Sequence, residues 1–160
     1  MHYRLPAETV CTMVDRTKIE RALLNMLSNA MKFAPQKSDI FVELAKRGNR
    51  LCLSVTSGGE RLSGDIYIRF CRQPILEDHR NGIGLGLVLI RATALAHGGA
   101  VFTDQPEAGH NRVTLSLPVR RPENAGLRSP ILQMDYAGGF DHCLLELSDV
   151  LPPELYQHTM

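Results

Sequence analysis

The chain has 160 residues, enough for one domain and a short extension, and its apolar fraction of 44% is ordinary for a globular core. Its 18 basic and 17 acidic residues nearly cancel, so the composition gives no sign of a basic nucleic-acid-binding surface and we expect no such partner. No apolar run reaches the roughly 18 residues of a membrane span, no signal peptide is visible, and the four cysteines lack zinc-site or disulfide-framework spacing. We therefore expect a cytoplasmic protein with reduced thiols and no membrane contact.

The first predicted helix covers residues 17–34 and follows a short strand predicted over residues 10–14. Asp15 stands where a helix N-cap belongs, and Pro35 ends the helix because proline disfavours helical geometry at the residue before it. The apolar residues that recur at helical spacing, and that predict the buried stripe, are Ile19, Ala22, Leu23, Met26, Leu27, Ala30 and Phe33.

A second, polar stripe runs along the same helix and consists of Arg21, Asn25, Asn29 and Lys32. Asparagine is a poor residue for a helix interior because its side chain competes for backbone hydrogen bonds, so two asparagines one turn apart indicate a role that offsets this cost. A carboxamide oxygen suits Mg²⁺, and a lysine can neutralise phosphate charge. The alternative is an ordinary solvated face of an amphipathic helix.

The remaining elements form a hairpin, a second helix and two further strands. The predicted strands cover residues 40–46, 51–57, 100–104 and 112–118. The second helix is predicted over residues 84–97 and stops at Gly98 and Gly99, the usual residues of a left-handed C-terminal cap; His97 is interpreted as part of this cap.

The second helix is preceded by a glycine-rich loop containing Gly82, Gly84 and Gly86. Backbone N–H groups at a helix start attract phosphate, and glycines allow the ligand a close approach. The loop does not fit a dinucleotide fingerprint, which needs glycine where Leu87 stands, and no Gly-Lys-Ser/Thr follows to make a Walker A motif. Arg80 lies just before the loop, where it could reach phosphates from a lid. The alternatives are a flexible loop with a helix cap, and a surface arginine.

The end of the chain differs from the rest in composition. Residues 120–129 are polar, contain proline and glycine, and are interpreted as a linker. Beyond them, strands predicted over residues 131–136 and 142–147 form a C-terminal hairpin. We therefore divide the chain into a domain of residues 1–119, a linker of residues 120–129 and an extension of residues 130–160. The hairpin could add strands to a sheet edge or pair with a second copy in a homodimer.

Two stretches of the sequence resemble motifs of one known family. Asn25-Met-Leu-Ser-Asn29-Ala-Met-Lys32-Phe-Ala is similar to the N box of sensor histidine kinases. Gly82-Ile-Gly84-Leu-Gly86-Leu, followed by an apolar helix that ends in His-Gly-Gly, is similar to their glycine-rich G2 box. Over residues 9–119 the chain resembles the catalytic, ATP-binding domain of these kinases, members of the GHKL ATPase superfamily. The resemblance implies an α/β (α+β) two-layer sandwich, a mixed β-sheet with helices on one face, plus the C-terminal β-hairpin.

The resemblance also implies a binding site for ATP and Mg²⁺. It makes Asn29 the Mg²⁺ ligand and places Asn25 and Lys32 close to the phosphates. The nucleotide-binding residues that it implies are Asn25, Asn29, Lys32, Ser57, Gly59, Arg80, Gly82, Gly84, Leu85, Gly86 and Leu87.

The sequence departs from the family pattern where the adenine base is expected. Ser57 stands at the position of an aspartate that accepts the adenine amine, and Arg61 stands at the position of a glycine. Arg112 replaces a threonine expected near that aspartate. Losing a charged acceptor gives up roughly 1.5–3 kcal/mol, about ten- to a hundredfold in affinity, although a serine hydroxyl can still accept. Residues 65–70 resemble the F box that anchors the lid, a few residues early.

The function that this resemblance predicts is transfer of the ATP γ-phosphoryl group to a histidine on a separate dimerisation domain, with a response regulator as indirect partner. The chain would then be the cytosolic part of a sensor histidine kinase, including one that is membrane-bound. The alternative is a non-catalytic docking module of the same fold that binds nucleotide poorly or not at all. A topoisomerase-type ATPase is disfavoured, because no acidic residue lies beside Asn25 and Asn29 on the polar stripe.

Overall fold

The computed structural model describes residues 1–59, 86–120, 143, 146–148 and 150–152. The elements in chain order are β1 (His2–Arg4), α1 (Arg16–Phe33), β2 (Ile40–Arg47), β3 (Arg50–Gly58), α2 (Gly86–Ala96), β4 (Ala100–Asp104) and β5 (His110–Pro118). The hairpin of β2 and β3 closes at Gly48, whose φ of 59° a glycine adopts without strain. Within the described residues, no helix is long and apolar enough to cross a membrane.

The five strands form one mixed sheet in the order β1-β2-β3-β5-β4. β1 runs parallel to β2, and α1 makes the connection between them. The other three pairs, β2–β3, β3–β5 and β4–β5, are antiparallel. Successive side chains of a strand point to opposite faces of the sheet. Along β3 and β5, residues that face the two helices therefore alternate with residues on the other face of the sheet.

The core lies between one face of the sheet and the two helices. Its buried members are Ala22, Met26 and Ala30 of α1, Ile90 and Ala94 of α2, Val55 of β3, and Leu115 and Leu117 of β5. Both helices therefore pack on the same face, which confirms the predicted two-layer α/β sandwich.

Helix α1 follows its predicted pattern with two differences. The Asp15 carboxylate accepts a hydrogen bond from the backbone N–H of Lys18, which confirms the N-cap. Phe33, predicted in the buried stripe, is 47% exposed because it lies in the last turn, beyond the core. Leu24, outside the stripe, is buried. The helix is thus enclosed on more than one side, which a single apolar stripe does not anticipate.

The strand predicted over residues 10–14 is wrong, because this segment joins no ladder. Met13 and Val14 are about two-fifths exposed, so this segment does not bury a continuous apolar face. The segment is instead held beside the end of β5. Thr12 Oγ1 donates to the Pro118 carbonyl at 3.3 Å, and the Arg120 N–H donates to Thr12 Oγ1 at 3.0 Å. The sheet edge is formed by His2–Arg4, which the pattern did not predict.

The second strand of the predicted C-terminal hairpin is also wrong at the residues that are described. Cys143 and Glu146 are helical, and the Leu147 and Leu151 N–H groups donate to the carbonyls of Cys143 and Leu147, each at 3.0 Å. The reason lies in composition, because residues 142–147 contain leucine and glutamate, good helix formers, and no β-branched residue. The first strand, over residues 131–136, and most of the linker lie outside the described residues. The proposed strand-pairing route to a homodimer therefore loses its basis in this segment.

Candidate functional site

The start of α2 lies against the polar stripe of α1, and Gly86 is the point of closest approach. A methyl group on Gly86 would lie 3.0 Å from Asn25 Oδ1 and 3.3 Å from Asn29 Nδ2. Both distances are shorter than ordinary van der Waals contact, so a side chain here would displace the asparagines. The glycine therefore brings together the two sequence motifs, which stand 57 residues apart between Asn29 and Gly86.

Asn25 is held in one orientation by its own helix. Its Nδ2 donates to the carbonyl oxygen of Arg21, one turn earlier, at 2.8 Å. The carboxamide oxygen is thereby directed toward Gly86, and Asn29 lies beside it, half-buried. The two carboxamides therefore present a neutral, oxygen-bearing surface to the first turn of α2.

Helix α2 contributes the electrostatics of this junction. The N–H groups in the first turn of a helix have no partners within the helix, and the helix dipole makes that end positive. The 11-residue α2 has no acidic residue in its first turn to neutralise this charge. The end of α2 that faces Asn25 and Asn29 therefore favours an anion.

The other residues predicted for this end of the site have mixed outcomes. Lys32 is half-buried and lies on the same stripe of α1 as Asn25 and Asn29. The Leu87 side chain packs against the core, which leaves its backbone as the part that could face a ligand. Arg21 is bound by Glu146, with Nε and Oε1 2.8 Å apart. Arg80, Gly82, Gly84 and Leu85 lie outside the described residues, as do Arg61 and the F-box-like segment.

The second half of the site lies where β3 ends. Ser57 is 8% exposed and stands directly opposite Asn111 of β5, which is also 8% exposed. Gly59 has a φ of 140°, which only glycine adopts readily, and its N–H donates to the Gly109 carbonyl at 3.0 Å. A methyl group on Gly59 would lie 2.9 Å from the Phe33 carbonyl oxygen and 3.6 Å from Asn111 Nδ2. The end of α1, the end of β3 and the start of β5 therefore meet at Gly59.

Arg112 does not lie at this end of the site, contrary to the sequence-based expectation. It stands opposite Thr56, so its side chain is on the other face of the sheet from Ser57 and Asn111. There Nε donates to Asp104 Oδ1 at 2.9 Å, with a second contact from the guanidinium to Oδ2. The hydrogen bonds from Arg112 hold the pKa of the Asp104 carboxyl below its usual value, despite an opposing effect of burial. Asn111 is the residue that sequence reasoning missed.

Helix α1 connects the two halves. From Asn25 to Phe33 it advances eight residues, about 12 Å at the rise of an α-helix. The carboxamides and the α2 N-terminus thus lie at one end of α1, and the neutral polar pair of Ser57 and Asn111 at the other. This arrangement suits an elongated ligand with an anionic end.

His97 fixes the two helices relative to each other. Its Nδ1 is 2.7 Å from the Thr93 carbonyl, and its Nε2 accepts the Asp15 N–H at 2.9 Å. Since the Asp15 backbone is a donor, Nε2 carries no proton and Nδ1 donates to Thr93. His97 thus caps the end of α2, as expected, and both of its ring nitrogens are engaged.

Comparison with known proteins places this arrangement in one family. The family described as "Histidine kinase-, DNA gyrase B-, and HSP90-like ATPase" matches residues 14–121, more than half of the chain. The sensor protein KdpD of Escherichia coli K12 is 35% identical over 117 residues, which cover 69% of this chain and 13% of KdpD. The sensor protein RstB of the same organism is 33% identical over 111 residues, covering 66% of this chain and 25% of RstB. The chain therefore spans a quarter or less of these curated relatives.

Solved structures agree with this placement. The mycobacterial sensor histidine kinase MprB is 26% identical, with a TM-score of 0.59 over 76% of this chain and 83% of that structure. The catalytic domain of the histidine kinase ThkA is 21% identical, with a TM-score of 0.60 over 74% of this chain and 76% of that one, and shows the fold alone. The chain belongs to the histidine kinase-, DNA gyrase B- and HSP90-like ATPases, and within them it carries the ATP-binding catalytic domain of the sensor histidine kinase type.

Proposed function

We propose that this domain binds Mg·ATP along α1 and transfers the γ-phosphoryl group to a histidine on a dimerisation domain outside residues 1–160. The junction of Asn25, Asn29 and Gly86 carries the proposal. It joins hard, neutral oxygen ligands to the positive end of a helix, the combination that a metal-bound triphosphate requires. A response regulator would receive the phosphoryl group afterwards, and the cytoplasm, where ATP is available, is the compartment we propose.

The donor set fits Mg²⁺. The ion usually keeps several waters and takes few protein ligands, so one carboxamide oxygen from Asn29 together with phosphate oxygens suffices. When bound, Mg²⁺ neutralises phosphate charge and orients the β- and γ-phosphates. The two carboxamides can lie this close to the start of α2 because position 86 has no side chain.

The chain's own residues position the phosphates and neutralise their charge. Asn25 is pre-oriented by its bond to Arg21, so it loses little freedom on binding. The backbone N–H groups of Gly82, Gly84, Leu85, Gly86 and Leu87 are proposed to donate to the phosphates, with Lys32 and Arg80 adding positive charge. Phosphoryl transfer depends mainly on such positioning. No base is assigned, because a neutral imidazole is itself a nucleophile near neutral pH.

The nucleoside is proposed to extend toward Ser57 and Gly59. A methyl group at Gly59 would lie 2.9 Å from the Phe33 carbonyl oxygen, so glycine at this position lets the end of β3 lie close to the end of α1. The Ser57 hydroxyl can donate and accept, whereas a carboxylate only accepts. We place the domain boundary near residue 119 because the family match ends at residue 121.

Calorimetric titration with Mg·ATP tests the proposal on four proteins: wild type, Asn29→Ala, Ser57→Asp, and Asn49→Ala as matched control in the exposed hairpin turn. We expect Asn29→Ala to weaken binding at least about tenfold and Ser57→Asp to strengthen it about tenfold, because each changes one charge-assisted interaction. Asn49→Ala should bind as wild type. Absence of heat at millimolar nucleotide in all four would support the docking-module alternative instead.

Phosphoryl transfer needs a second assay. The domain is mixed with a separately produced dimerisation domain of a related sensor kinase and γ-labelled ATP, and labelled histidine is measured. Transfer that is lost in Asn29→Ala and kept in Asn49→Ala supports the kinase function. Tight ATP binding without transfer to any acceptor domain would limit the function to nucleotide binding.

A further inference from the structure

Arg21 lies on the polar stripe of α1 just beyond the residues proposed to hold the phosphates. It stands four residues before Asn25, and one turn of an α-helix advances about 5.4 Å. The proposed ligand runs along α1 from the nucleoside near Gly59, past Asn29, to Asn25. Arg21 is therefore the next residue of the stripe at the end of the site opposite the nucleoside, where the last phosphate of the chain would lie.

Arg21 is held by an acidic side chain that lies beyond residue 121, where the family match ends. Its Nε donates to Glu146 Oε1 at 2.8 Å, and the Glu146 side chain is only 21% exposed. The partner thus comes from the C-terminal segment, of which residues 143, 146–148 and 150–152 are described. The guanidinium closest to the phosphate end is already engaged by a carboxylate of the same chain.

The C-terminal segment makes its contacts on the side of α1 that faces away from the core. Leu24 lies two residues, or about 200° around the helix, from Met26 of the core, but it is only 7% exposed. One turn before Leu24 stand Glu20 and Arg21, and both contact the C-terminal segment. The ion pair of Arg21 is therefore part of a partly buried contact surface on α1 and not an isolated surface pair.

The two parts of the chain also differ in charge. All 18 lysines and arginines lie within residues 1–128, together with 12 of the 17 acidic residues, so this part carries a net charge of +6. Residues 129–160 hold the other five acidic residues and no lysine or arginine, a net charge of −5. An acidic segment beside Arg21 competes with an anionic ligand, because a carboxylate and a phosphate bind the same guanidinium fork.

We infer that Arg21 binds the terminal phosphate of ATP and that Glu146 withholds it, so that the docked C-terminal segment is an autoinhibitory element. This inference rests on the proposed function. Because Arg21 lies at the end of the site opposite the nucleoside, it contacts the γ-phosphate, which ADP lacks. Release of Arg21 therefore raises the affinity for Mg·ATP more than the affinity for Mg·ADP.

Calorimetric titration at low salt with Mg·ATP and Mg·ADP tests this inference on wild type, Glu146→Gln, Arg21→Gln and the double variant. We expect Glu146→Gln to bind Mg·ATP about threefold more tightly, a gain of the size that a partly exposed ion pair can hold back. Its affinity for Mg·ADP should stay nearly unchanged. Arg21→Gln should bind Mg·ATP within about twofold of wild type, because Arg21 is already engaged. Adding Glu146→Gln to Arg21→Gln should give no gain.

Glu8→Gln serves as the matched control, because it removes an exposed carboxylate paired with Lys46 and should change neither affinity. Thermal melting of each variant confirms that it folds. No gain in Glu146→Gln, or equal gains for Mg·ATP and Mg·ADP, overturns the inference. An equal gain with and without Arg21 also overturns it, since Glu146 would then act through its own charge. Mg·ATP would still bind in these cases and the proposed function would stand, whereas absence of binding in all the proteins overturns both.

Discussion

Gly86 is the residue on which the phosphate end of the site depends. Gly86→Ala would place a methyl group 3.0 Å from Asn25 Oδ1, and the neighbouring side chains would have to shift by a few tenths of an ångström. Alanine is a better helix former by about 1 kcal/mol, which offsets the crowding in the stability of the fold. We expect little change in the melting temperature and a loss of Mg·ATP affinity of about tenfold, because the carboxamides no longer hold their positions.

Two measurements on the same variants check this prediction. Calorimetric titration gives the Mg·ATP affinity, and thermal melting gives the stability of the fold. Ala92→Ser, on the exposed side of α2, serves as control: it should leave the affinity unchanged and lower the melting temperature only slightly, since serine is a weaker helix former than alanine. An affinity equal to that of wild type in Gly86→Ala would show that the asparagines do not need their present positions.

At the residue scale, the sequence predicted the chemistry of the phosphate end better than that of the base end. Asn25 and Asn29 stand one helical turn apart, so their common face follows from helix geometry alone. The roles of Arg112 and Asn111 depend instead on where β5 begins, since a shift of one residue exchanges the two faces of a strand. The strand begins at His110, two residues before the predicted start. Alternation counted back from Leu117 and Leu115 would have placed Asn111 on the core side.

At the scale of elements, His97 links the end of α2 to the beginning of α1. Its two hydrogen bonds, to Thr93 and Asp15, are lost together in His97→Ala. We expect the free energy of unfolding to fall by about 1–2 kcal/mol, at roughly 1 kcal/mol or less for each bond. Urea denaturation measures this value. His2→Ala, which removes an exposed histidine near the N-terminus, should cost less. Equal costs for the two variants would contradict a specific role for the link.

The cap of α1 predicts a pH dependence. The hydrogen bond from the Lys18 ammonium, followed by that from the Lys18 N–H, holds the pKa of Asp15 below its usual value. Because the pKa is depressed in the folded state, the contribution is present above the unfolded value of about 3.9 and is lost as the pH falls through the folded value. Asp15→Ala should lower the free energy of unfolding by about 1 kcal/mol at pH 7.

Denaturation of wild type, Asp15→Ala and Asp15→Asn at pH 7 and pH 3 tests this pH dependence. Asparagine also caps helices, so Asp15→Asn should lose only a few tenths of a kcal/mol at pH 7, the part due to an exposed charge pair. That small loss should shrink at pH 3. A difference between wild type and Asp15→Asn that is the same at both pH values would show that the charge contributes nothing.

Elements whose apolar residues recur at a regular spacing could be predicted from the sequence, whereas short or weakly patterned elements could not. Helix α1 has an N-cap, an apolar stripe and a terminating proline, and its observed bounds differ from the predicted ones by one residue at each end. By contrast, β1 has three exposed residues, so it carries no apolar pattern and is a strand only because β2 offers it a parallel partner. Residues 10–14 have the opposite property, because their sequence predicts a strand but no neighbouring strand pairs with them.

At the scale of the whole molecule, the two-layer architecture could be predicted from the helices and strands, but the order of the strands in the sheet could not. Two helices with apolar stripes and several strands leave few ways to bury both faces. The position of β5 between β3 and β4 brings Asn111 beside Ser57, and that neighbourhood links residues 54 positions apart. No local pattern encodes such a contact, so the base end of the site required the structure.

The C-terminal segment docks on α1, and one ion pair gives a prediction for it. Glu146 is 21% exposed and its Oε1 lies 2.8 Å from Arg21 Nε, while Cys143 Sγ lies 3.8 Å from Glu20 Oε1. Arg21 is also the residue whose carbonyl orients Asn25, so this ion pair lies one helical turn from Asn25. Glu146→Gln keeps the shape and removes the charge. We expect it to loosen the segment with little effect on the free energy of unfolding, because exposed ion pairs contribute about 0–1 kcal/mol.

Hydrogen exchange is the measurement that detects this loosening, since the Leu147 and Leu151 N–H groups are bonded within the docked helical turns. Their exchange should become faster in Glu146→Gln and in Arg21→Gln. It should stay unchanged in Glu8→Gln, which removes an exposed pair with Lys46 instead. Because an unpaired Arg21 adds positive charge near the phosphates, Glu146→Gln should also bind Mg·ATP somewhat more tightly at low salt, and this gain should vanish at high salt. Unaltered exchange in both pair variants would mean that other contacts hold the segment in place.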